Sequence, residues 1–380
     1  MRCEGEPLVR SLFSKRVLRA GNSLALSSRR IPPYTKVMDA RLQFIPIMIV
    51  GFGAALCLTP LTRQIAMRLG VTAAPNTRNI HNRHVPLMGG AAIYVAFVLS
   101  VLLFSPPDHL IELGAIVAGA TLLALIGYLD DRRHLNPRIR LFVMTVAAAV
   151  AALSGVQIRY FGSALIDIPL TLFWIVALIN AVNWIDNMDG LAAGTAAIAS
   201  GFFLLLALSQ GQILVSMLAA AIVGSAVGFL IYNFNPSSTF MGDMGAYTLG
   251  FVLAILAIKL KFAAQPLNVT WMTPICVLAL PIVDINLAIV TRLLERRPLM
   301  LAAKDHVSHR LLSLGLTQRQ TLALLYLFSF LYGLVALGIS QAQPDQALAL
   351  GGLAFLTLGL IFCLLILVRW RQRRGADSAA

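Results

Sequence analysis

Asn180-Ala-Val-Asn183-Trp-Ile-Asp186-Asn-Met-Asp189-Gly190 joins one apolar run, 168–179, directly to another, 191–208. Four polar side chains recur here at spacings of three, at the edge of segments that otherwise suit a membrane interior. Carboxylates and amides are costly to hold at a bilayer boundary, so the cluster reads as a functional site. A divalent cation with phosphate groups is the chemistry that most readily uses such a set.

The flanking composition fixes the class. Hydrophobic residues make up 58% of the 380 and charged residues only 12%, more apolar surface than a water-soluble domain needs. The chain reads as all-α, a polytopic membrane helical bundle of about eleven spans. They fall at 43–60, 87–104, 112–129, 139–155, 168–184, 191–208, 212–231, 243–260, 271–291, 319–339 and 346–368. Residues 43–370 form the transmembrane domain, between an N-terminal extension, 1–42, and a tail, 371–380.

The net charge of +14 does not point to nucleic acid, because its distribution is one-sided. Beyond residue 41, 18 Lys and Arg fall on the side of the loops after odd-numbered spans and the C-terminus. The other side holds three: Arg159, Lys259 and Lys261. That bias predicts a multi-pass inner (plasma) membrane protein whose odd loops and C-terminus are cytosolic. The basic run Arg369-Trp-Arg-Gln-Arg-Arg374 suits anionic headgroups. Cys3, Cys57, Cys276 and Cys363 show no metal or disulfide spacing, and three of them sit within spans as small apolar residues. Residues 1–41 carry nine Lys or Arg, the wrong sign for an external N-terminus. Met38 is therefore a candidate initiator, with a processed targeting segment as the competing reading.

The predicted cytosolic side collects nearly all the chemistry: Arg78, His81 and Pro86 to Gly90; Asp130-Asp131; the opening segment; Phe240 to Gly245; and a loop with His306, His309 and Arg310. Each element also has a plainer reading. Asp130 and Asp131 suit a solvated helix end paired with Arg132 and Arg133, Asp243 a turn, and the histidines ordinary loop positions. His134, Asp167 and Asp305 are expected at turns or helix ends, and the role of Asp284, inside a span after Pro281, stays open. Taken together, carboxylates for a cation, basic groups for phosphates and a membrane face predict phosphoryl transfer from a soluble donor to a lipid acceptor.

At this point the residues resemble a family, the polyprenyl-phosphate N-acetylhexosamine-1-phosphate transferases. These include enzymes of the undecaprenyl-phosphate GlcNAc-1-phosphate type and, more distantly, the phospho-MurNAc-pentapeptide translocase. Five motifs run in the family's order: Arg78-x-x-His81 with Pro86-x-x-Gly89-Gly90, Asp130-Asp131, Asn180-x-x-Asn183-x-x-Asp186-x-x-Asp189-Gly190, Phe240-Met-Gly242-Asp243-x-Gly245, and His306 to His309. The resemblance implies attack of a polyprenyl phosphate on a UDP-N-acetylhexosamine, UDP-GlcNAc first, with release of UMP. It implies Mg2+, for which Mn2+ is an admissible substitute, and it allows a homodimer. It implies Asp243 and Asn183 as metal ligands, with Asp186 and Asp189 in or near the shell. Asp130 is implied as the base, supported by Asp131. Arg78, His81, Arg140, Asn180, His306, His309 and Arg310 are implied on the substrates. The usual His-x-His-His loop is here His306-Val-Ser308-His309, which bears on the sugar. The rivals are phospho-MurNAc-pentapeptide transfer, an intramembrane Asp-rich prenyltransferase, and an ion-coupled transporter. The last would hold its ionisable groups at broken helices in mid-span.

Overall fold

A helix occupies every stretch that the sequence marks as a span, in a computed structural model that describes residues 44–73, 85–105, 107–262, 266–299 and 304–377. The proposed N-terminal extension, the Met38 start, and Arg78 with His81 lie outside the described residues. In chain order the helices are α1 (Phe44–Leu69), α2 (Gly89–Leu103), α3 (Leu110–Arg133), α4 (Pro137–Leu153), α5 (Ala164–Ile185), α6 (Leu191–Ser209) and α7 (Ile213–Asn233). There follow α8 (Gly242–Lys259), α9 (Leu267–Thr270), α10 (Met272–Val277), α11 (Ala279–Leu294), α12 (Val307–Ser313), α13 (Gln318–Gln341) and α14 (Pro344–Asp377). Two short strands, β1 (Thr72–Ala73) and β2 (Val85–Pro86), pair antiparallel between α1 and α2.

Among the described residues eight helices are long and apolar enough to cross a membrane, or nine if one bent pair counts as a single span. α2, with 15 residues, and α4, with 17, are shorter than a full crossing. The bent pair is the ninth predicted span, which turns by 79° between 267–277 and 279–294. Pro281 explains the break. It has no N–H for the Val277 carbonyl, and its ring crowds that carbonyl.

α6, α7 and α8 are apolar all round and bury most of their residues, so they form the centre of the bundle. α1 and α14 are equally apolar but mostly exposed, as helices facing lipid are. Glu112 and Lys259 pair where α3 begins and α8 ends. The opposite ends of the same two helices carry Asp130, Asp131 and Asp243, so the carboxylate cluster belongs to one end of the bundle.

Candidate active site

Two of the sequence motifs are joined by their backbones. Phe240 N donates to Pro86 O at 2.8 Å, Gly89 N to Phe240 O at 3.0 Å, and Gly90 N to Met241 O at 2.8 Å. This puts the start of α2 against the start of α8. A Cβ on Gly90 would lie 2.2 Å from the Gly245 nitrogen, so glycine at both positions is what lets the helices touch.

The start of α8 is capped from another helix. Met241, its N-cap residue, makes no side-chain cap, and the Asp243 N–H instead donates to Asp131 Oδ1 at 3.0 Å. Asp131, at the end of α3, thereby satisfies an orphan amide and places its carboxyl oxygen at the positive end of the α8 dipole. Asp243 Oδ1 accepts from the Asn183 amide at 2.5 Å, which ties α5 to α8. Tyr247, one turn along α8, donates its hydroxyl to Asp130 Oδ2 at 3.0 Å and lies 3.3 Å from Asp243 Oδ2.

Asp130 faces a different set of neighbours from Asp131. It is buried, its Oδ2 also accepts from Arg140 Nη1 at 2.8 Å, and its Oδ1 accepts from Leu135 N at 2.7 Å. The partners that sequence offered, Arg132 and Arg133, are not the ones it uses. Arg140 arrives from α4, whose start is fixed by Pro137 and by the Asn136 side chain accepting from Arg138 N.

Asp131, Asn183, Asp186, Asn187, Asp189 and Asp243 line one polar cavity of about 320 Å³. Asp186, just beyond α5, has its pKa pushed up to about 7, first by burial and then by the charge of Asp189. Asp189 is committed to the α7–α8 connection: Ser237 Oγ donates to it at 2.9 Å, and Ser237 N and Asn235 Nδ2 at 3.1 Å each. Gly190, at a φ of 77°, turns the chain into α6 while its N–H donates to Asn233 and its carbonyl accepts from Tyr326.

A second, larger space of about 820 Å³ begins on the other side of Asn183. It is an apolar groove between α4, α5 and α11, walled by residues such as Leu141, Phe173, Trp174 and Ile285. Besides Asn183, its polar members include Arg140, Asn180, Tyr247, Asn286, Arg292 and His306. Asn180 donates to Val176 O at 2.8 Å and to Met144 Sδ, so it is held against the groove wall. The Arg292 guanidinium sits 4.6 Å over the Trp184 ring, and the His306 ring meets Trp184 edge-on.

The histidine loop is anchored more deeply than its sequence suggests. Asp284, buried in α11, receives His306 Nδ1 at 2.7 Å and Val307 N at 2.8 Å. Ser308 donates to Asn187 Oδ1 at 2.6 Å, which links this loop to the opening segment. Asp305, expected at a turn, is instead a fully buried carboxylate bonded by Arg292 at 3.1 Å and Arg297 at 2.6 Å, with Arg369 of α14 at 3.8 Å. Burial alone would raise its pKa, but Arg297 and Arg292 hold it below the usual carboxylate value. His134 and Asp167 do serve a helix end and a turn.

Arg310, expected on the substrates, lines neither the polar cavity nor the apolar groove. Its guanidinium is buried and bonds Asp305 O, Leu365 O and Thr291 Oγ1, pinning α12 to α11 and α14. His309 is half-buried beside His306, and its pKa falls to about 4, through burial first and then through the neighbouring His306 and Lys304. Sequence reasoning passed over Tyr247, Asn187, Ser237 and Trp184. Tyr247 carried a signal all the same, since it stands four residues, one helical turn, after Asp243.

The chain matches the glycosyl transferase family 4 model over residues 113–261, the stretch that holds Asp130, the 180–190 segment and Asp243. It is 31% identical over 343 residues to the probable undecaprenyl-phosphate N-acetylglucosaminyl 1-phosphate transferase of Bacillus subtilis (strain 168), covering 88% of this chain and 92% of that one. To the decaprenyl-phosphate N-acetylglucosaminephosphotransferase of Mycolicibacterium smegmatis it is 29% identical over 378 residues, covering 88% and 90%. A phospho-N-acetylmuramoyl-pentapeptide-transferase of Bacillus cytotoxicus is 34% identical over 240 residues, but over only 56% of this chain and 74% of its own. With a relative above 30% identity aligned over nearly its whole length, this multi-pass membrane protein belongs to the polyprenyl-phosphate N-acetylhexosamine-1-phosphate transferase family.

Proposed function

We propose that the protein transfers N-acetylglucosamine 1-phosphate from UDP-N-acetylglucosamine to a polyprenyl phosphate, on the cytosolic face of the inner membrane. The products are a polyprenyl-diphospho-N-acetylglucosamine and UMP, and the reaction opens a cell-envelope glycan pathway. One observation carries this reading: an acid-lined polar cavity and an apolar groove meet at Asn183, beside Asp243. A soluble phosphate donor and a lipid phosphate need two such compartments with a shared wall. N-acetylglucosamine is favoured because the relatives named for it align over about nine-tenths of both chains, whereas the pentapeptide transferase aligns over 56% of this one.

The donor set suits Mg2+. No three His, Cys, Asp or Glu residues among the described residues stand close enough to cage a metal by themselves. Mg2+ does not require a cage: it commonly takes one or two carboxylates and fills its shell with water and substrate phosphates. Asp243 and Asn183 would hold it, with Asp186 across the same cavity. Bound there, the ion would neutralise the diphosphate and favour the leaving UMP.

The remaining work falls to the protein. Asp131 fixes the start of α8 and so sets where Asp243 points. Asp130 has both oxygens engaged, and it acts by holding Arg140 and Tyr247 at the groove wall, where a lipid phosphate would lie. Arg140 and Arg292 supply positive charge at the end of an otherwise apolar groove. Purified protein given radiolabelled UDP-N-acetylglucosamine, undecaprenyl phosphate and Mg2+ tests the reading, through lipid-linked label formed in step with UMP.

A further inference from the structure

We propose that His306, oriented by Asp284, takes the proton from the lipid phosphate when that phosphate attacks the donor. The proposal rests on the transfer reaction above and assigns its proton acceptor.

Three observations support it. First, His306 lines the apolar groove and not the acid-lined cavity, so its ring faces the lipid acceptor's compartment. Second, Nδ1 is bound to Asp284 Oδ2 at 2.7 Å, leaving Nε2 as the ring nitrogen able to meet a ligand. Third, the other Asp284 oxygen accepts from Val307 N at 2.8 Å, so the carboxylate fixes both the ring and the start of α12. A buried carboxylate that orients an imidazole and faces its developing charge is the arrangement by which a histidine becomes an effective base. Asp130, by contrast, has Arg140, Tyr247 and Leu135 on its two oxygens.

A singly protonated lipid phosphate gives its proton to His306 Nε2, while one of its oxygens forms a bond to the sugar-bearing phosphorus. The bond from that phosphorus to the UMP oxygen breaks, and UMP leaves with the electron pair. The proton passes from Nε2 to water when the products depart. The charged and titratable groups around the ring are Asp284 and Arg292 from α11, Lys304, Asp305 and His309 from its own segment, and Arg140 and Tyr247 across the groove. α5 contributes Trp184, which does not titrate.

The test uses the full-length protein in detergent with undecaprenyl phosphate, UDP-N-acetylglucosamine and Mg2+, comparing kcat across pH for the wild type, His306→Gln and Asp284→Asn. Asn at 284 keeps an oxygen for Val307 N but presents an N–H to the ring, which imposes the wrong tautomer. An alkyl phosphate loses its second proton near a pKa of about 6, so above that pH the acceptor needs a base less and less. The expected deficit of both variants is about a hundredfold below pH ~6. It should shrink to within about threefold near pH ~9, with the KM for UDP-N-acetylglucosamine unchanged. Asp130→Asn should show no deficit that grows as pH falls. If Asp284→Asn melts early, His306→Gln alone supplies the readout. A deficit in His306→Gln that does not vary with pH, or that lies mainly in the donor KM, overturns the proposal. So does a pH-dependent deficit found only in Asp130→Asn. A wild type that transfers nothing at any pH would instead refute the parent reaction.

Discussion

Asn183 and Asp243 stand 60 residues apart in sequence, and the Asn183 amide donates to an Asp243 oxygen at 2.5 Å. That contact joins the end of α5 to the start of α8 and forms the wall shared by the polar cavity and the apolar groove. A bound cation there would draw on the Asn183 amide oxygen, with the amide turned over from the orientation that donates to Asp243.

Asp243→Ala is expected to lower turnover by on the order of a hundredfold or more, because it removes the carboxylate proposed to hold Mg2+ against the reacting phosphates. Residual turnover should no longer respond to Mg2+ concentration. A variant that keeps most of its rate and its Mg2+ response would show that the metal is held elsewhere.

Arg140→Ala should raise the KM for polyprenyl phosphate by roughly tenfold, the loss of one charged hydrogen-bonding partner, and leave the KM for the nucleotide sugar unchanged. Asp130→Asn should move the same parameter in the same direction, since Asp130 holds Arg140 in place. Steady-state kinetics with each substrate varied in turn would decide. A shift confined to the nucleotide sugar would contradict the placement of Arg140 in the groove.

Gly90→Ala tests the helix contact. Its Cβ would lie 2.2 Å from a backbone nitrogen of α8, so the helices must separate, at a cost of about 1–3 kcal/mol. Melting in detergent should drop by several degrees, while Gly53→Ala, whose Cβ meets nothing within 4 Å, should melt like the wild type. Equal melting of Gly90→Ala and the wild type would rule out the close approach of α2 and α8.

The depressed pKa of His309, about 4, gives a pH signature with a definite sign. Below the ordinary histidine value of about 6.5, the unfolded chain binds a proton that the folded chain refuses, so stability is lost as pH falls toward 4 and is unaffected above the window. His309→Gln should lose less melting temperature than the wild type between neutral pH and about pH 5. Identical losses would mean that the ring is not held neutral by its burial.

The class of fold and the ordered motifs were legible in the sequence because hydropathy and positive-charge bias depend on position along the chain alone. Which side chain meets which was not, because that depends on helix rotation. Asp130 and Asp131 are adjacent in sequence, yet one holds Arg140 and Tyr247 at the groove while the other caps α8. The same limit hid the partners of Arg310. It follows His309 directly, but the turn of α12 directs it onto Thr291 and Leu365, away from either compartment. Asp284 could not be assigned from sequence because the 79° break before α11 is what brings it under the histidine loop.

Sugar-phosphate transfer is measured by following label from UDP-[14C]N-acetylglucosamine into the organic phase with purified protein, undecaprenyl phosphate and Mg2+. Lipid-linked label and UMP should form in equal amounts, both absent without the lipid and both lost in Asp243→Ala. Well-folded protein that forms neither product from UDP-N-acetylglucosamine or any other UDP-N-acetylhexosamine would contradict the proposed transfer.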